Sequence, residues 1–332
     1  MVYAVRPMKL VIQIPCHNEE ETLPATLADL PRAVPGFDVV ERILVDDGST
    51  DRSLEVARAH GIDAVVSLPA RRGLANAFVA GLEAALRRGA DVIVNTDADN
   101  QYRGQDVGAL VRPIVEGRAD LVVGERPADA RAPSLSKGLL QHLGSAVVRR
   151  ISGTSIPDAT SGFRAYTREA ALQVNVFSDF SYTLETIIQL GLRRARVVSV
   201  PIGVNPVDRP SRLFRSIPEF VLKQAMTIVR IFVIYRPFAT FAWPGAILVL
   251  LGLLPGVRFL LLWSVGRGQG HVQSLILASI LVSIGGLLLV AGTISSVTAA
   301  NRVLLEDVRI RLRRMEIEGG RREAGPAGEA TG

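Results

Sequence analysis

Short hydrophobic runs alternate with amphipathic stretches along the first 205 residues of the chain. The runs that have the length of strands cover residues 10–14, 42–45, 64–67, 92–95 and 121–123. Helical patterns between them cover residues 22–30, 51–60, 74–88 and 106–116. The last three end at Gly61, Gly89 and Gly117, a common signal for helix termination. Apolar strands joined by helical crossovers predict an α/β domain with a mostly parallel, Rossmann-like sheet.

The pattern becomes less regular after residue 125. Residues 125–135 are expected to form a loop and residues 133–150 a helix. A polar turn that enters a short strand is expected at 158–166, a helix at 182–192 and a further strand at 197–204. These elements complete a predicted α/β domain over residues 1–210.

Two long hydrophobic segments follow this domain. Residues 238–257 and 272–300 contain no charged side chain, and about 20 apolar residues suffice to span a bilayer. We therefore expect a two-helix membrane anchor over 238–300, with spans at about 238–263 and 272–300. Residues 211–237 are expected to form an interfacial amphipathic helix, with packing against the domain as the alternative. Residues 301–332 are predicted to be a basic tail, disordered from Gly319.

Charge then suggests an orientation. Most of the basic residues near the spans precede the first or follow the second, while the connecting loop at 264–271 contains only Arg267. The positive-inside rule places the α/β domain and both termini in the cytoplasm of a multi-pass membrane protein. The net charge of +6 is explained by basic residues near anionic headgroups. Nucleic-acid binding is not expected, because aromatic residues make up only 5% of the chain.

Polar groups follow four of the predicted strands, at residues 15–20, 46–51, 97–101 and 124–126. In open α/β sheets, ligands bind at the carboxyl ends of the strands. The glycine-rich dinucleotide fingerprint and the Walker pattern are both absent from the sequence. Hydride transfer is therefore disfavoured, and any nucleotide must be held through acidic turns and a metal ion.

The most informative of these groups contains Asp97, Asp99 and Gln101. Carboxylate and amide oxygens suit Mg²⁺ or Mn²⁺ that is bridged to phosphates. A strand-end turn that binds nothing is the other interpretation. A calcium loop is disfavoured, because its glycine and glutamate positions are occupied by Tyr102 and Gly108.

Three sequence pieces together resemble the family 2 glycosyltransferases of GT-A fold: Ile-Pro-Cys-His-Asn-Glu-Glu-Glu-Thr-Leu (14–23), Val-Asp-Asp-Gly-Ser-Thr-Asp (45–51) and Asp-Ala-Asp-Asn-Gln (97–101). Gly-Glu-Arg (124–126), Asp-Ala-Thr-Ser-Gly-Phe-Arg (158–164) and the anchor narrow this resemblance to the polyprenyl-phosphate sugar synthases, which are similar to dolichyl-phosphate mannose synthase. The resemblance covers about residues 8–236.

The resemblance implies roles for individual residues. The nucleotide sugar would be bound by Pro15, Asn18, Glu19, Asp46, Asp47 and Asp97. Asp97, Asp99 and Gln101 would hold Mg²⁺ or Mn²⁺, which neutralises the leaving diphosphate. The family usually has Leu where this chain has Asn100, so the wall beside the donor sugar is expected to differ. Asp51 is expected to cap the helix that follows it.

The acceptor implied by the resemblance is a polyprenyl phosphate, dolichyl or undecaprenyl, in the bilayer. Its phosphate would be bound by Arg126, Arg164, Arg209 and Arg212, whose guanidinium groups suit phosphate oxygens. The expected reaction is an inverting displacement at the anomeric carbon, with Asp99, Asp158 and Arg164 as catalytic residues. Asp158 would orient the acceptor or the sugar, with a structural role in its turn as the alternative.

Two other functions are considered. A processive polysaccharide synthase shares the GT-A motifs but carries Gln-x-x-Arg-Trp, whereas the residues before Trp243 and Trp263 are Ala242 and Leu262. An inactive membrane scaffold would be expected to have a broken metal motif. The sequence does not determine the sugar, the base or the oligomeric state. A homo-oligomer is compatible with it.

Overall fold

The computed structural model of the protein describes residues 7–127, 148–176, 182–206, 232–266 and 272–323, together with positions 146, 226, 229 and 230. The chain divides into two compact units. One contains Met1–Val221 and Ile310–Gly332, and the other contains Leu222–Arg309.

The first unit is built on a seven-stranded sheet. Its strands are β1 (Lys9–Cys16), β2 (Val39–Asp46), β3 (Ala64–Ser67), β4 (Val92–Asn95), β5 (Leu121–Glu125), β6 (Arg164–Thr167) and β7 (Val197–Pro201). Their order is β3-β2-β1-β4-β6-β5-β7. All neighbouring strands are parallel except β6, which is antiparallel to both β4 and β5. The prediction of a mostly parallel sheet is confirmed.

Among the described residues of this unit are six helices, five of which agree closely with the sequence pattern: α1 (Leu23–Asp29), α2 (Ser53–Ala59), α3 (Leu74–Arg87), α4 (Val107–Val115), α5 (Arg168–Gln173) and α6 (Thr183–Leu192). A single 3₁₀ turn at Gly104–Asp106 precedes α4. Of these helices, only α5 was not expected. It begins at the end of β6, where the Thr167 side chain accepts a hydrogen bond from the Ala170 amide.

Central strands β1 and β4 form the middle of the core. Every residue of β4 is buried, as is every residue of β1 after Lys9. Leu10, Ile12 and Ile14 are 0% exposed and pack in one hydrophobic cluster with Leu44 and Val94. Strands that are buried on both faces are expected to be nearly continuous in hydrophobic residues, which explains why the sequence pattern located them well.

The last strand of the sheet is shorter than predicted. Strand β7 ends at Pro201, although hydrophobic residues continue to Val204. The Ile202 amide still bonds to the Glu125 carbonyl, and Val204 then forms an isolated antiparallel bridge with Tyr102. The chain therefore turns back toward the residues that follow β4.

The second unit contains α7 (Pro237–Ser264) and most of α8 (Val272–Glu323). Both helices are long and apolar enough to cross a membrane. They pack through small residues: an added Cβ at Gly245 would lie 2.9 Å from the Gly285 carbonyl oxygen, and one at Gly252 would lie 2.9 Å from the Leu281 side chain. Gly252 of α7 thus contacts α8 of the same chain.

Helix α8 does not stop where the apolar segment stops. It continues through the basic residues to Glu323, so the prediction that residues from Gly319 are disordered is wrong as far as Glu323. The Arg313 guanidinium donates to the Ala171 and Val174 carbonyls at the end of α5, and Ile317 is buried. These contacts lie within the first unit. Most of the predicted interfacial helix at 211–237 lies outside the described residues.

Candidate active site

The strand ends that carry the polar motifs meet at one edge of the sheet. Cys16, the last residue of β1, lies opposite Asp46, the last residue of β2. On the other side of β1, Gln13 lies opposite Asn95, which ends β4. This register brings residues 15–20, 46–51 and 97–101 together at the carboxyl edge, as the sequence predicted.

The first two motifs are joined by hydrogen bonds. The Asn18 amide donates to Ser49 Oγ, and the Thr50 amide donates to Asn18 Oδ1 at 2.8 Å. The Glu19 amide donates to Ser53 Oγ. Asn18 has φ of 54°, in the left-handed region that asparagine tolerates better than most residues. Pro15, Asn18 and Glu19 therefore lie beside the Asp46 turn, where the nucleotide is expected to bind.

Both aspartates at the end of β2 are buried and accept backbone hydrogen bonds. Asp46 Oδ1 accepts from the Ser49 amide. The two Asp47 oxygens accept from the Arg72 and Gly73 amides at 2.6 and 2.8 Å. Asp47 thus fixes the segment before α3, a role that the sequence pattern did not indicate. Its predicted hydrogen bond with the base stays a prediction, since each carboxylate oxygen has a second lone pair.

Asp51 lies just before Arg52, the N-cap residue of α2, and bonds the first amide of that helix. Its two carboxylate oxygens accept from the Ser53 and Glu20 amides at 3.0 and 3.1 Å. Burial opposes ionisation of this carboxyl, but the hydrogen bonds from Ser53 and Glu20 hold its pKa below the usual value. Asp51 therefore joins α2 to the first motif.

We call residues 97–101 the acidic turn. Asp97 is partly buried, and its Oδ1 is shielded from solvent without a hydrogen-bond partner in the described part of the chain. Burial raises the pKa of Asp97 to about 7, and the neighbouring carboxylate of Asp99 adds to this effect. Asp99 Oδ1 accepts from the Gln101 amide at 3.0 Å. Asn100, at φ of 58°, turns the chain between them.

The donor set of the acidic turn fits a hard divalent cation. Two carboxylates two residues apart and an amide oxygen offer only oxygen ligands, and a bound cation would compensate the orphaned Asp97 oxygen. Among the described residues, no cluster of three or more His, Cys, Asp or Glu side chains has the arrangement of a metal site. The acidic turn would therefore need Gln101, water or substrate phosphate to complete the coordination.

A buried polar chain behind the acidic turn was not identified from the sequence. Gln13 Nε2 donates to Asn95 Oδ1, and Asn95 Nδ2 lies 2.9 Å from the Gly162 carbonyl and 2.8 Å from the Tyr182 hydroxyl. The Gly162 amide donates to the Tyr102 hydroxyl. Only two sequence features could have indicated this buried polar chain. They are the polar Gln13 within the apolar strand β1 and the Asn95 that ends the neighbouring strand β4.

Gly162 belongs to this hydrogen-bonded chain and also lies directly against Asp97 of the acidic turn. A Cβ added there would lie 2.8 Å from Asp97 Oδ2 and 3.1 Å from the Tyr182 hydroxyl. Only glycine allows Asp97 to approach so closely.

Asp158 and Arg126 form a buried ion pair. Arg126 Nε and Nη2 donate to the two Asp158 oxygens at 2.8 and 3.0 Å, and Nη2 also donates to Thr160 Oγ1. The side chains are 12% and 0% exposed. Burial opposes ionisation of Asp158, but the Arg126 pairing outweighs it and holds the carboxyl pKa below its usual value. This geometry revises the expectation for Asp158: it orients Arg126 and has no exposed oxygen for sugar or acceptor.

Arg164 is also revised. Its side chain is 0% exposed. It donates to the Ala159, Ser161 and Thr183 carbonyls and to Thr186 Oγ1, all within 2.8 Å. The guanidinium therefore joins the 158–161 turn to α6 in place of the predicted direct phosphate contact and catalytic role.

Two of the predicted phosphate-binding residues, Arg209 and Arg212, lie outside the described residues. The chain that leads toward them is held at Asn205. Its amide donates to the Gln101 carbonyl at 2.9 Å and its Nδ2 to the Asn100 carbonyl at 3.1 Å.

Comparison with known proteins agrees with this arrangement. The family model for glycosyl transferase family 2 matches residues 11–174. The chain is 31% identical over 214 residues to the undecaprenyl-phosphate mannosyltransferase of Micrococcus luteus, covering 59% of this chain and 83% of that one. It is 30% identical over 185 residues to the polyprenol monophosphomannose synthase of Mycolicibacterium smegmatis, covering 52% and 67%.

A similar fold is found in glucosyl-3-phosphoglycerate synthase from Mycobacterium tuberculosis, solved with Mn²⁺, UDP and phosphoglyceric acid. The TM-score is 0.52 at 24% identity, covering 67% of this chain and 78% of that one. The sheet is therefore of the GT-A type. Together with the family match and the identity to the Micrococcus enzyme, this shows that the chain belongs to glycosyl transferase family 2 and is a glycosyltransferase of the branch that resembles polyprenyl-phosphate sugar synthases.

Proposed function

We propose that the protein transfers a sugar from a nucleotide diphosphate sugar to a polyprenyl phosphate at a membrane, with Mg²⁺ or Mn²⁺ held by Asp97, Asp99 and Gln101. One observation carries the proposal: the shielded Asp97 oxygen has no partner in the described part of the chain, and it lies at the edge where the first two motifs meet. A buried carboxylate oxygen without a hydrogen bond is costly, so its retention favours a bound cation.

The first two motifs supply the nucleotide site in this proposal. Asn18 and Glu19 come after β1, and Asp46 and Asp47 close β2, so all four lie on one side of the acidic turn. Their backbone hydrogen bonds keep them fixed before any ligand arrives, which limits the conformational entropy lost on binding.

The acceptor side would be formed by Arg126. The bidentate Asp158 pair fixes the plane of its guanidinium, and a fixed plane suits phosphate oxygens. An oxygen of the acceptor phosphate would attack the anomeric carbon as the bond from that carbon to the diphosphate breaks, and the diphosphate leaves with the electron pair. The cation, when bound, neutralises charge on the leaving diphosphate. Because the attacking phosphate is already anionic, no strong general base is needed.

The two apolar helices support a lipid-borne acceptor. Helix α7 exposes most of its large side chains, among them Trp243 at 71% and Leu254 at 67%, which suits contact with acyl chains. The relatives from Micrococcus luteus and Mycolicibacterium smegmatis are named undecaprenyl-phosphate mannosyltransferase and polyprenol monophosphomannose synthase. Basic residues on both sides of the spans support a cytoplasmic catalytic domain.

The proposal is tested with the full chain in detergent micelles. A panel of GDP- and UDP-sugars is incubated with fluorescent polyprenyl phosphate and Mn²⁺, and the glycolipid and the released nucleoside diphosphate are quantified. We expect one donor to be used, with product that requires both the lipid phosphate and the cation. The Asp99→Asn variant should lose at least ~100-fold in turnover, since it loses a charged ligand of the cation. Transfer that survives this substitution and chelation of the cation would contradict the proposed site.

A further inference from the structure

Two threonine side chains contact the main chain of the acidic turn, and none of the predicted roles includes this contact. The Ala98 carbonyl lies between the two carboxylates and is 3.0 Å from Thr22 Oγ1 and 3.1 Å from Thr26 Oγ1. Ala98 and Thr26 are 3% and 4% exposed. Both threonines lie on one face of the α1 region, one helical turn apart.

Thr22 is in the position where a threonine normally caps its own helix. It is the N-cap of α1, yet its side chain makes no capping hydrogen bond, although threonine at an N-cap usually stabilises a helix in this way. The hydroxyl is instead within hydrogen-bond distance of the Ala98 carbonyl and, at 2.9 Å, of Glu19 Oε2. The capping interaction is thus replaced by contacts with the two predicted ligand-binding segments.

Hydrogen-bond counting explains why two threonines are used. Each hydroxyl has one proton to donate. Thr22 can donate to Glu19 or to Ala98, and Thr26 can donate to Ala98 or to the Thr22 carbonyl at 3.2 Å. When Glu19 takes the Thr22 proton, the Thr26 hydroxyl is still available to donate to the Ala98 carbonyl. The buried carbonyl therefore keeps a donor whichever way the first hydroxyl points.

We propose that Thr22 and Thr26 are positioning residues of the cation site: they fix the Ala98 carbonyl and thereby direct the Asp97 and Asp99 carboxylates toward one ion. This inference rests on the proposed function for the identity of the ligand. Neither threonine touches the ion or the substrate. Fixing the main chain between two like charges keeps their carboxylates converged when no cation is bound, so that less order has to be gained on binding.

The test compares alanine and serine at each position. Both substitutions remove the threonine methyl group, but serine keeps the hydroxyl, so the difference between them reports the hydrogen bond alone. Thr293→Ala is the control, because the Thr293 hydroxyl also bonds a carbonyl one turn earlier, that of Leu289, and is exposed. Each full-chain variant is purified in micelles, and its thermal unfolding is recorded to confirm folding.

The first readout is Mn²⁺ binding without donor, followed by the electron paramagnetic resonance signal of free Mn²⁺. We expect Thr26→Ala to weaken binding by about fivefold, the ratio that one hydrogen bond typically supplies, and Thr26→Ser to stay within about twofold of wild type. The Thr22→Ala/Thr26→Ala variant should weaken it by at least ~10-fold, because Ala98 then loses both donors. Thr293→Ala should bind as wild type does.

The second readout is the Mn²⁺ concentration that gives half-maximal turnover, which should rise by the same ratio while kcat at saturating Mn²⁺ changes less. Equal Mn²⁺ affinity in the folded alanine and serine variants would overturn the inference. A wild-type protein that binds Mn²⁺ but transfers no sugar to polyprenyl phosphate would instead count against the proposed function, and the binding comparison would still decide the role of the threonines.

Discussion

Single residues behind the acidic turn determine how closely Asp97 can approach the strand ends. Gln13, Asn95 and Tyr182 form a hydrogen-bonded chain inside an apolar core, and Tyr182 stacks on Phe78 with ring centroids 3.8 Å apart. Burial raises the pKa of Tyr182 well above its usual value, so this hydroxyl stays neutral at physiological pH. Gln13 Oε1 has no hydrogen-bond partner among the described residues, but the bonds that the other groups make specify one geometry more sharply than apolar packing does.

Adding a single carbon atom at Gly162 tests whether the site needs the close approach of Asp97. The Gly162→Ala variant places a Cβ 2.8 Å from Asp97 Oδ2, so either Asp97 or the 161–163 backbone must move. We expect turnover to fall at least ~10-fold with a moderate loss of stability, because overpacking of a tight site costs about 1–3 kcal/mol.

The matched control is Gly108→Ala. Gly108 lies inside α4 and an added Cβ there meets nothing within 4 Å. Alanine is favoured over glycine in a helix by about 0.5–1 kcal/mol, so this variant should be fully active and slightly more stable. Measured rates and thermal midpoints check both variants; an active Gly162→Ala enzyme with unchanged Mn²⁺ affinity would show that the close approach is not needed.

At the scale of elements, charged side chains join the start of the sheet to α3. Glu41 on β2 accepts from Arg88 at 2.9 Å and lies 3.0 Å from Lys9 Nζ. Burial opposes ionisation of Glu41, but the hydrogen bonds from Arg88 and Lys9 outweigh it and lower the carboxyl pKa below 4.5. The group is partly exposed, so solvent screening keeps the contribution below about 1 kcal/mol.

This lowered pKa predicts a pH dependence of stability. A carboxyl whose pKa is lower in the folded state stabilises the protein above its unfolded pKa, and that stabilisation is lost as pH falls through the folded pKa. The Glu41→Gln variant should therefore be less stable than wild type at pH 7, and the two should converge at an acidic pH below the folded pKa of Glu41. Denaturant titrations at both pH values measure the difference. A deficit that persists unchanged in acid would mean that packing, and not charge, holds this contact.

The helix pair of the second unit depends on small residues at its contact. A Cβ at Gly285 would lie 2.7 Å from the Gly245 carbonyl oxygen, whereas one at the adjacent Gly286 meets nothing within 4 Å. We predict that Gly285→Ala separates α7 from α8 and lowers the thermal midpoint in micelles, while Gly286→Ala leaves it unchanged or raises it. Close contact of backbones is a main source of helix association in lipid. Identical midpoints for the two variants would indicate that the pair is held by its larger side chains.

At the scale of the whole molecule, the distribution of basic residues predicts a cytoplasmic catalytic domain. The only cysteine, Cys16, is 3% exposed, and burial raises the pKa of its thiol to about 12, so it should not react with maleimides. A cysteine introduced elsewhere can therefore be labelled without removing it. In intact cells, a membrane-impermeant maleimide should label Ser264→Cys, at the end of α7, and should leave Glu55→Cys, on exposed α2, unlabelled until the membrane is opened. The reverse pattern would invert the proposed topology.

Local patterns along the chain were sufficient for most of the elements and for the edge where the site forms, although they missed α5. Strand β1, for example, is apolar from Leu10 to Cys16 except for Gln13 because both of its faces are buried. The motifs after β1, β2 and β4 meet because parallel strands end at the same edge. The family, the long apolar helices and the candidate cation ligands follow from the same local information.

Only the tertiary structure decided which way the buried polar groups face. Arg164 and Asp158 are charged residues in a conspicuous motif, but the fold directs Arg164 to carbonyls and Asp158 to Arg126. Thr22 reads as a helix cap, yet its hydroxyl faces Ala98, 76 residues away along the chain. Partners so distant in sequence are chosen by the packing of elements, which a local pattern does not contain, and the high cost of leaving a buried polar group unpaired then fixes each choice.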